Sequence, residues 1–233
     1  MSIISIFISG IIILLLFVFA LRKYLKHKTK SNLLYSLGFF ETSISVFAFL
    51  ISIYTKNHFA FYIYYFLGAG LTPALLGLGS VYLLKEKFHI QDALLIITVI
   101  ASIALIILFY FSTFSDFNFS LLTNLIFKNI VTAKDIRISL LGVGIINNGY
   151  WLIPLVFLNT IGTIEILYVA LFSIIRSIKN KNFNQRTLGV IFIFIATFLL
   201  ASVASISRFY NISIIWLSFL FVWIIFFAGF SLV

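Results

Sequence analysis

Two acidic residues lie deep inside long apolar runs of this chain: Glu41 and Glu165. A charge at mid-bilayer costs at least about 2.5–3.5 kcal/mol on insertion scales, so an intramembrane acid is a functional candidate by default. The chemistry open to such carboxyls is proton or cation carriage across the bilayer. The alternative is a carboxyl hydrogen-bonded across to Ser, Thr or Asn, acting as packing glue. At 100° per residue Glu41 shares a face with Gly38, Ser45, Ala48, Ser52 and Thr55, a small and polar stripe that faces protein or water rather than lipid. Glu165 shares a face with Pro154, Leu158, Ile161 and Gly162, with Asn159 and Thr163 on the neighbouring face; Pro154 and Gly162 permit bending and close approach. Arg208 is the nearest cation; it shares a face with Thr197, Ala201, Ala204 and Ser205 and is expected to reach the headgroups rather than either acid.

Other chemistry has few candidates. There is no cysteine, which removes disulfides, thiolate metal sites and cysteine nucleophiles. His27, His58 and His89 fall in loops or at span ends, so paired haem ligands are not expected. Residues 211–233 hold no Lys for a retinal Schiff base, and no HExxH or P-loop motif occurs. We therefore expect no metal, no cofactor and no enzyme activity. Proton transfer by the two Glu is the one enzymatic alternative.

The elements that position these residues follow from composition. The 233 residues are 63% hydrophobic and 9% charged, with a mean hydropathy of +1.20. A soluble domain is typically about 45–50% apolar and about 25% charged, so the chain reads as an integral membrane protein. A spanning helix needs about 20 apolar residues. The apolar runs predict an all-α polytopic bundle of seven transmembrane helices in a single domain, at about 2–21, 33–54, 59–84, 93–111, 151–175, 188–207 and 211–231. Glu41 and Glu165 then sit at similar depth, about 12–15 Å from one surface at about 1.5 Å per residue. The first run has no basic segment before it and no small-residue cleavage site after it, so it is expected to stay as a helix.

Charge sets the expected orientation. The net charge is +10, from 16 Lys and Arg against 6 Asp and Glu. Loops 22–32, 85–92 and 176–187 carry Arg22, Lys23, Lys26, Lys28, Lys30, Lys85, Lys87, Arg176, Lys179, Lys181 and Arg186. The other side carries Lys56, Lys128, Lys134, Arg137 and Arg208. The bias predicts the N-terminus outside and the C-terminus cytoplasmic, in the cell membrane. Nucleic acid is not an expected partner, because the basic residues flank spans. The long outer loop 112–150 is apolar at Leu125–Val131 and Ile136–Ile146, so it is expected on the bundle or in the interface; Gly142, Gly144 and Asn147-Asn148 disfavour an eighth span. Asn118-Phe119-Ser120 and Asn211-Ile212-Ser213 are sequons on the outer side.

The third span is rich in small residues. Gly68, Thr72 and Gly79 form one face; Gly70, Pro73, Ala74, Gly77 and Ser80 form the opposite one. A helix small on both sides is expected between two neighbours, at the centre of the bundle, with a kink at Pro73. A helix broken at a binding site is the functional alternative.

Within this span, Tyr65-Phe66-Leu67-Gly68-Ala69, then Pro73, then Leu78-Gly79-Ser80-Val81-Tyr82-Leu83-Leu84 resembles a pattern of uncharacterised seven-span membrane proteins of actinobacteria and archaea. The basic run Arg22–Lys30 before the second span is similar as well. The resemblance covers about residues 20–85, with Pro73 earlier than in that pattern. It implies the seven-span topology and no activity.

Three functions are consistent with these residues. A small proton-linked transporter or permease-like bundle is favoured by the Glu41 stripe. A non-catalytic subunit of a larger membrane complex is the alternative, and a seven-helix sensor closed by loop 112–150 is the third. Expected partners are the lipid bilayer and further copies of the chain or other membrane subunits.

Overall fold

The computed structural model describes residues 2–84, 90–111, 150–206 and 212–233. Every regular element among them is helical. They are α1 (Ser2–His27), α2 (Lys30–Thr55), α3 (His58–Ile63), a π-helical segment (Tyr64–Leu71), α4 (Thr72–Val81), α5 (Ile90–Tyr110), α6 (Leu152–Lys179), α7 (Gln185–Ile206) and α8 (Ile212–Leu232). α3, the π segment and α4 run on without interruption as one rod. Six stretches are long and apolar enough to cross a membrane: Ile3–His27, Lys30–Thr55, Phe59–Val81, Ile90–Tyr110, Leu152–Lys179 and Gln185–Val203. Trp216–Leu232 of α8 is a further apolar helix.

Several helices outrun their apolar cores. α1 continues through Arg22, Lys23 and Lys26, and α6 through Arg176 and Lys179. The expected loop 22–32 is reduced to Lys28 and Thr29. Lys and Arg are good helix formers, and their long stems reach outward while the backbone stays helical. Lys28, Lys56 and Lys181 each turn the chain with positive φ, at 47°, 52° and 52°. Left-handed residues commonly end helices, and a cation there also meets the negative end of the helix dipole. Thr29, Asn57 and Asn184 then cap the following helices by accepting from the amides of Asn32, Ala60 and Thr187.

The helices close into a ring. α1 packs on α2, α2 on α4, α4 on α6, α6 on α7, α7 on α8, and α8 returns to α1. α5 lies outside the ring against α6 and α4. Aromatic rings bridge α2 and α8 through the interior: Phe39 meets Phe226 at 5.8 Å and Phe230 at 5.2 Å, and Phe49 stacks on Trp216 at 5.1 Å. Edge-to-face and offset pairs of this kind add about 0.5–1.5 kcal/mol beyond area burial.

The third span is therefore a member of the ring, not its centre. The most enclosed span is α2, with 67% of its apolar window buried against 33% for Phe59–Val81. α2 holds small residues toward α4 and bulky rings toward α1 and α8, so it can bury all three sides. Loop 112–150 up to Gly149 with its sequon Asn118-Phe119-Ser120, the sequon residue Asn211, and Arg208 lie outside the described residues.

Candidate functional site

The third span is assembled around Pro73. Proline has no amide hydrogen, so the carbonyl four residues back loses its helical donor. That carbonyl belongs to Ala69. The side-chain amide of Asn159 on α6 donates to it at 2.9 Å. Two more carbonyls of the π segment receive side-chain donors. Ser45 on α2 donates to Tyr64 O at 2.9 Å, and the Thr72 hydroxyl to Leu67 O at 3.0 Å. The Thr72 amide also reaches Leu67 O, five residues back, which is the π-helical register. The wide turn is thus held by side chains of α2, of α6 and of the rod itself, as irregular backbone in a membrane requires.

One small face of α4 meets α2. The Thr42 and Thr72 hydroxyls lie 3.0 Å apart, Ser31 donates to Gly79 O at 2.6 Å, and Gly68 sits against the Ser45 hydroxyl. Ser80 belongs here too: its hydroxyl lies 2.7 Å from the Tyr35 hydroxyl of α2. This corrects its assignment to the opposite face. One residue beyond Gly79 on the helix, it lies between the two small faces and turns to the hydroxyl that can pair with it.

The other face meets α6 at closer range. A Cβ on Gly77 would stand 2.6 Å from both Cα and O of Gly162 and 2.5 Å from Oε2 of Glu165. A Cβ on Gly162 would run into the backbone of Pro73 and Ala74. The two helices cross backbone to backbone, and only glycine permits it. Gly70 is packed less tightly, facing side-chain methyls of Leu105 and Leu155.

Glu165 lies at this crossing. It is 6% exposed, and among the described residues neither carboxyl oxygen has a hydrogen-bond partner. Glu41 is half-buried on α2, with Oε2 buried and unpartnered. α4 stands between the helices that carry the two acids, and no hydrogen bond joins them. Thr163 donates to the Asn159 carbonyl of its own helix at 2.8 Å, which leaves the Asn159 side chain for Ala69. Among the described residues no group of three His, Cys, Asp or Glu is arranged to hold a metal ion.

Sequence reasoning marked Gly162 as a point of close approach but did not pair it with Gly77, and it passed over Thr42 as the partner of Thr72. A signal for the role of Asn159 was present. Pro73 leaves one carbonyl open, so an amide-bearing residue on a neighbouring helix was to be sought.

Comparison with family models, curated proteins and solved structures finds no match to this chain.

Proposed function

We propose that this is a seven-span protein of the cell membrane that moves a small solute together with protons, with Glu165 as the proton-carrying group. The observation that carries this reading is the Glu165 carboxyl, buried at the Gly77–Gly162 crossing with neither oxygen partnered among the described residues. An acid kept there without a hydrogen bond is poor glue, since unpaired buried polar groups cost stability. It lies beside a helix whose π turn and proline give it a place to bend. Glu41, with one buried oxygen, is a secondary site on the other side of α4. α8 supplies the seventh crossing, and the excess of cations on loops 22–32, 85–92 and 176–187 supports an outside N-terminus.

The test is proton movement in vesicles. Purified protein is reconstituted with the pH dye pyranine inside, and a panel of amino acids, organic acids and monovalent cations is added outside. A panel member should change internal pH with the native protein and not with Glu165→Gln. Equal responses from both would remove Glu165 from the role. Orientation is tested on the cysteine-free chain with an impermeant maleimide. Phe59→Cys should label from outside intact cells, and Ile178→Cys only after lysis.

A second reading, subunit of a larger membrane complex, is favoured by α5. It sits outside the ring with only 11% of its apolar window buried, and it presents Ile96, Ile100, Ile103 and Ile107 outward. Discrete partners in fixed ratio, in particles taken from native membranes in mild detergent, would establish that reading.

A further inference from the structure

We propose that the α4–α6 crossing is a proton-operated joint: loss of the Glu165 proton separates α4 from α6, and α4 swings about the π-helical segment. The proposal rests on the reading of Glu165 as the proton-carrying group and states what that proton controls.

The crossing has no slack. Gly77 and Gly162 meet backbone to backbone, and the Glu165 carboxyl fills the adjoining space against Gly77. A carboxylate in such a place needs donors, cations or water, because an unpaired buried charge is costly. Among the described residues no donor or cation is placed on it. α4 carries no titratable residue. The π segment offers Tyr64 and Tyr65, but Tyr64 packs on Phe49 of α2 and Tyr65 on Trp151, at the far end of α6. α5 holds only Asp92 and Tyr110, one at each end, and α7 only Arg186 in its first turn. On α6 itself Arg176 and Lys179 are in the last turns, and Tyr168 is exposed. The packed crossing therefore fits the uncharged acid. When the proton leaves to water, the carboxylate is relieved only if water enters, and water enters only if the helices part.

The rod has one place to bend. Above the crossing the backbone passes through the π segment, where Tyr64 O, Leu67 O and Ala69 O are held by Ser45, Thr72 and Asn159. Side-chain bonds to these carbonyls can be exchanged for water or for other donors more readily than a full α-helical ladder. α3, on the other side of this segment, stays in place. The movement is thus confined to the α4 end of the rod.

Distance measurement by spin labelling tests this, and the natural chain needs no cysteine removed. One label pair is Leu83→Cys with Ile178→Cys, beyond α4 and near the same end of α6. The control pair is Phe59→Cys with Ile153→Cys, on α3 and at the start of α6. All four positions are exposed. Between about pH 5 and about pH 9, a range above the ordinary carboxylate value of about 4.3, the first distance should lengthen by several ångströms, and the control should hold. Glu165→Gln should keep the short distance at both values. Glu165→Met, of similar length, is the second variant if the first does not fold. A constant first distance in the native background overturns the joint, as does a pH response that survives in both variants. Proton uptake in vesicles separates the two ideas. Uptake without a distance change sinks the joint alone; a distance change without uptake sinks the carrier reading alone.

Discussion

Asn159 on α6 donates its side-chain amide to the carbonyl of Ala69, the oxygen for which Pro73, four residues on, has no hydrogen to offer. One helix supplies what the proline of another withholds. Asn159→Leu should therefore destabilise the protein by about 1–3 kcal/mol, because a carbonyl facing hydrocarbon has no water to replace the lost amide. In a Pro73→Ala background the loss should shrink, because alanine restores a local donor. Denaturation in detergent of the two single variants and the double variant measures the coupling, which should lie at about 0.5–3 kcal/mol. Additive losses would show that the amide and the proline act independently.

The glycines should rank by what surrounds them. Gly162→Ala and Gly77→Ala force a methyl into backbone, which cannot rotate away, and should cost about 1–3 kcal/mol or more. Gly70→Ala meets only leucine methyls and should cost less. Gly77→Leu should abolish assembly. Thermal unfolding of purified variants gives the order, and a Gly70→Ala loss equal to that of Gly162→Ala would contradict it.

The two acids should separate in transport. Glu165→Gln should lower solute-dependent proton uptake at least about tenfold, a barrier rise of about 1.4 kcal/mol or more. Glu41→Gln should retain most of it, since Glu41 is only half-buried and lies across α4. Initial rates of dye response at matched protein density decide between them. The reverse order would move the proton site to α2.

At the Val81 end of the third span, Asp92 lies 3.5 Å from Lys30 and accepts from the Tyr82 hydroxyl at 2.7 Å. Lys30 and Asp92 are largely exposed, so their pair should contribute no more than about 1 kcal/mol and fade with salt. Burial first, and then the Asp92 carboxylate beside it, push the Tyr82 phenol up to about 12. Asp92→Asn should bring that phenol back toward its ordinary value. Difference absorbance between Asp92→Asn and the same variant with Tyr82→Phe isolates this one phenol.

Hydropathy alone marks the apolar runs and their register, because hydrocarbon tolerates few alternatives to a continuous helix. It misplaces helix ends where Lys and Arg prolong them, as at Arg22–His27, since a window of apolar residues stops at the first charge. The small faces of the third span are legible from 100° spacing, and they are the faces that meet α2 and α6. The π turn at Tyr64–Leu71 is not legible, because it exists only once Ser45 and Asn159 arrive from other helices. The same holds for the Glu165 surroundings: the acid is visible in the sequence, but its contact with Gly77 depends on how closely two backbones approach. Ser80 shows the limit of angular reasoning. Its spacing leaves it between two faces, and a hydroxyl on α2 decides.

The ring closes through α8, which leaves the ribosome after the seven other described helices. Until α8 arrives, the face of α1 that carries Phe19 and Lys23 has no Phe230 to receive it, and Gly189 on α7 has no Gly229 to pack against. α1 and α8 are therefore neighbours in the folded bundle although most of the described chain is made between them. α1 and α2, joined by two residues, can pair as soon as both are inserted, whereas the bundle stays open along one seam until α8 is inserted. A chain cut short before α8 would keep that seam exposed in the bilayer, a visible mark for membrane quality control to act on.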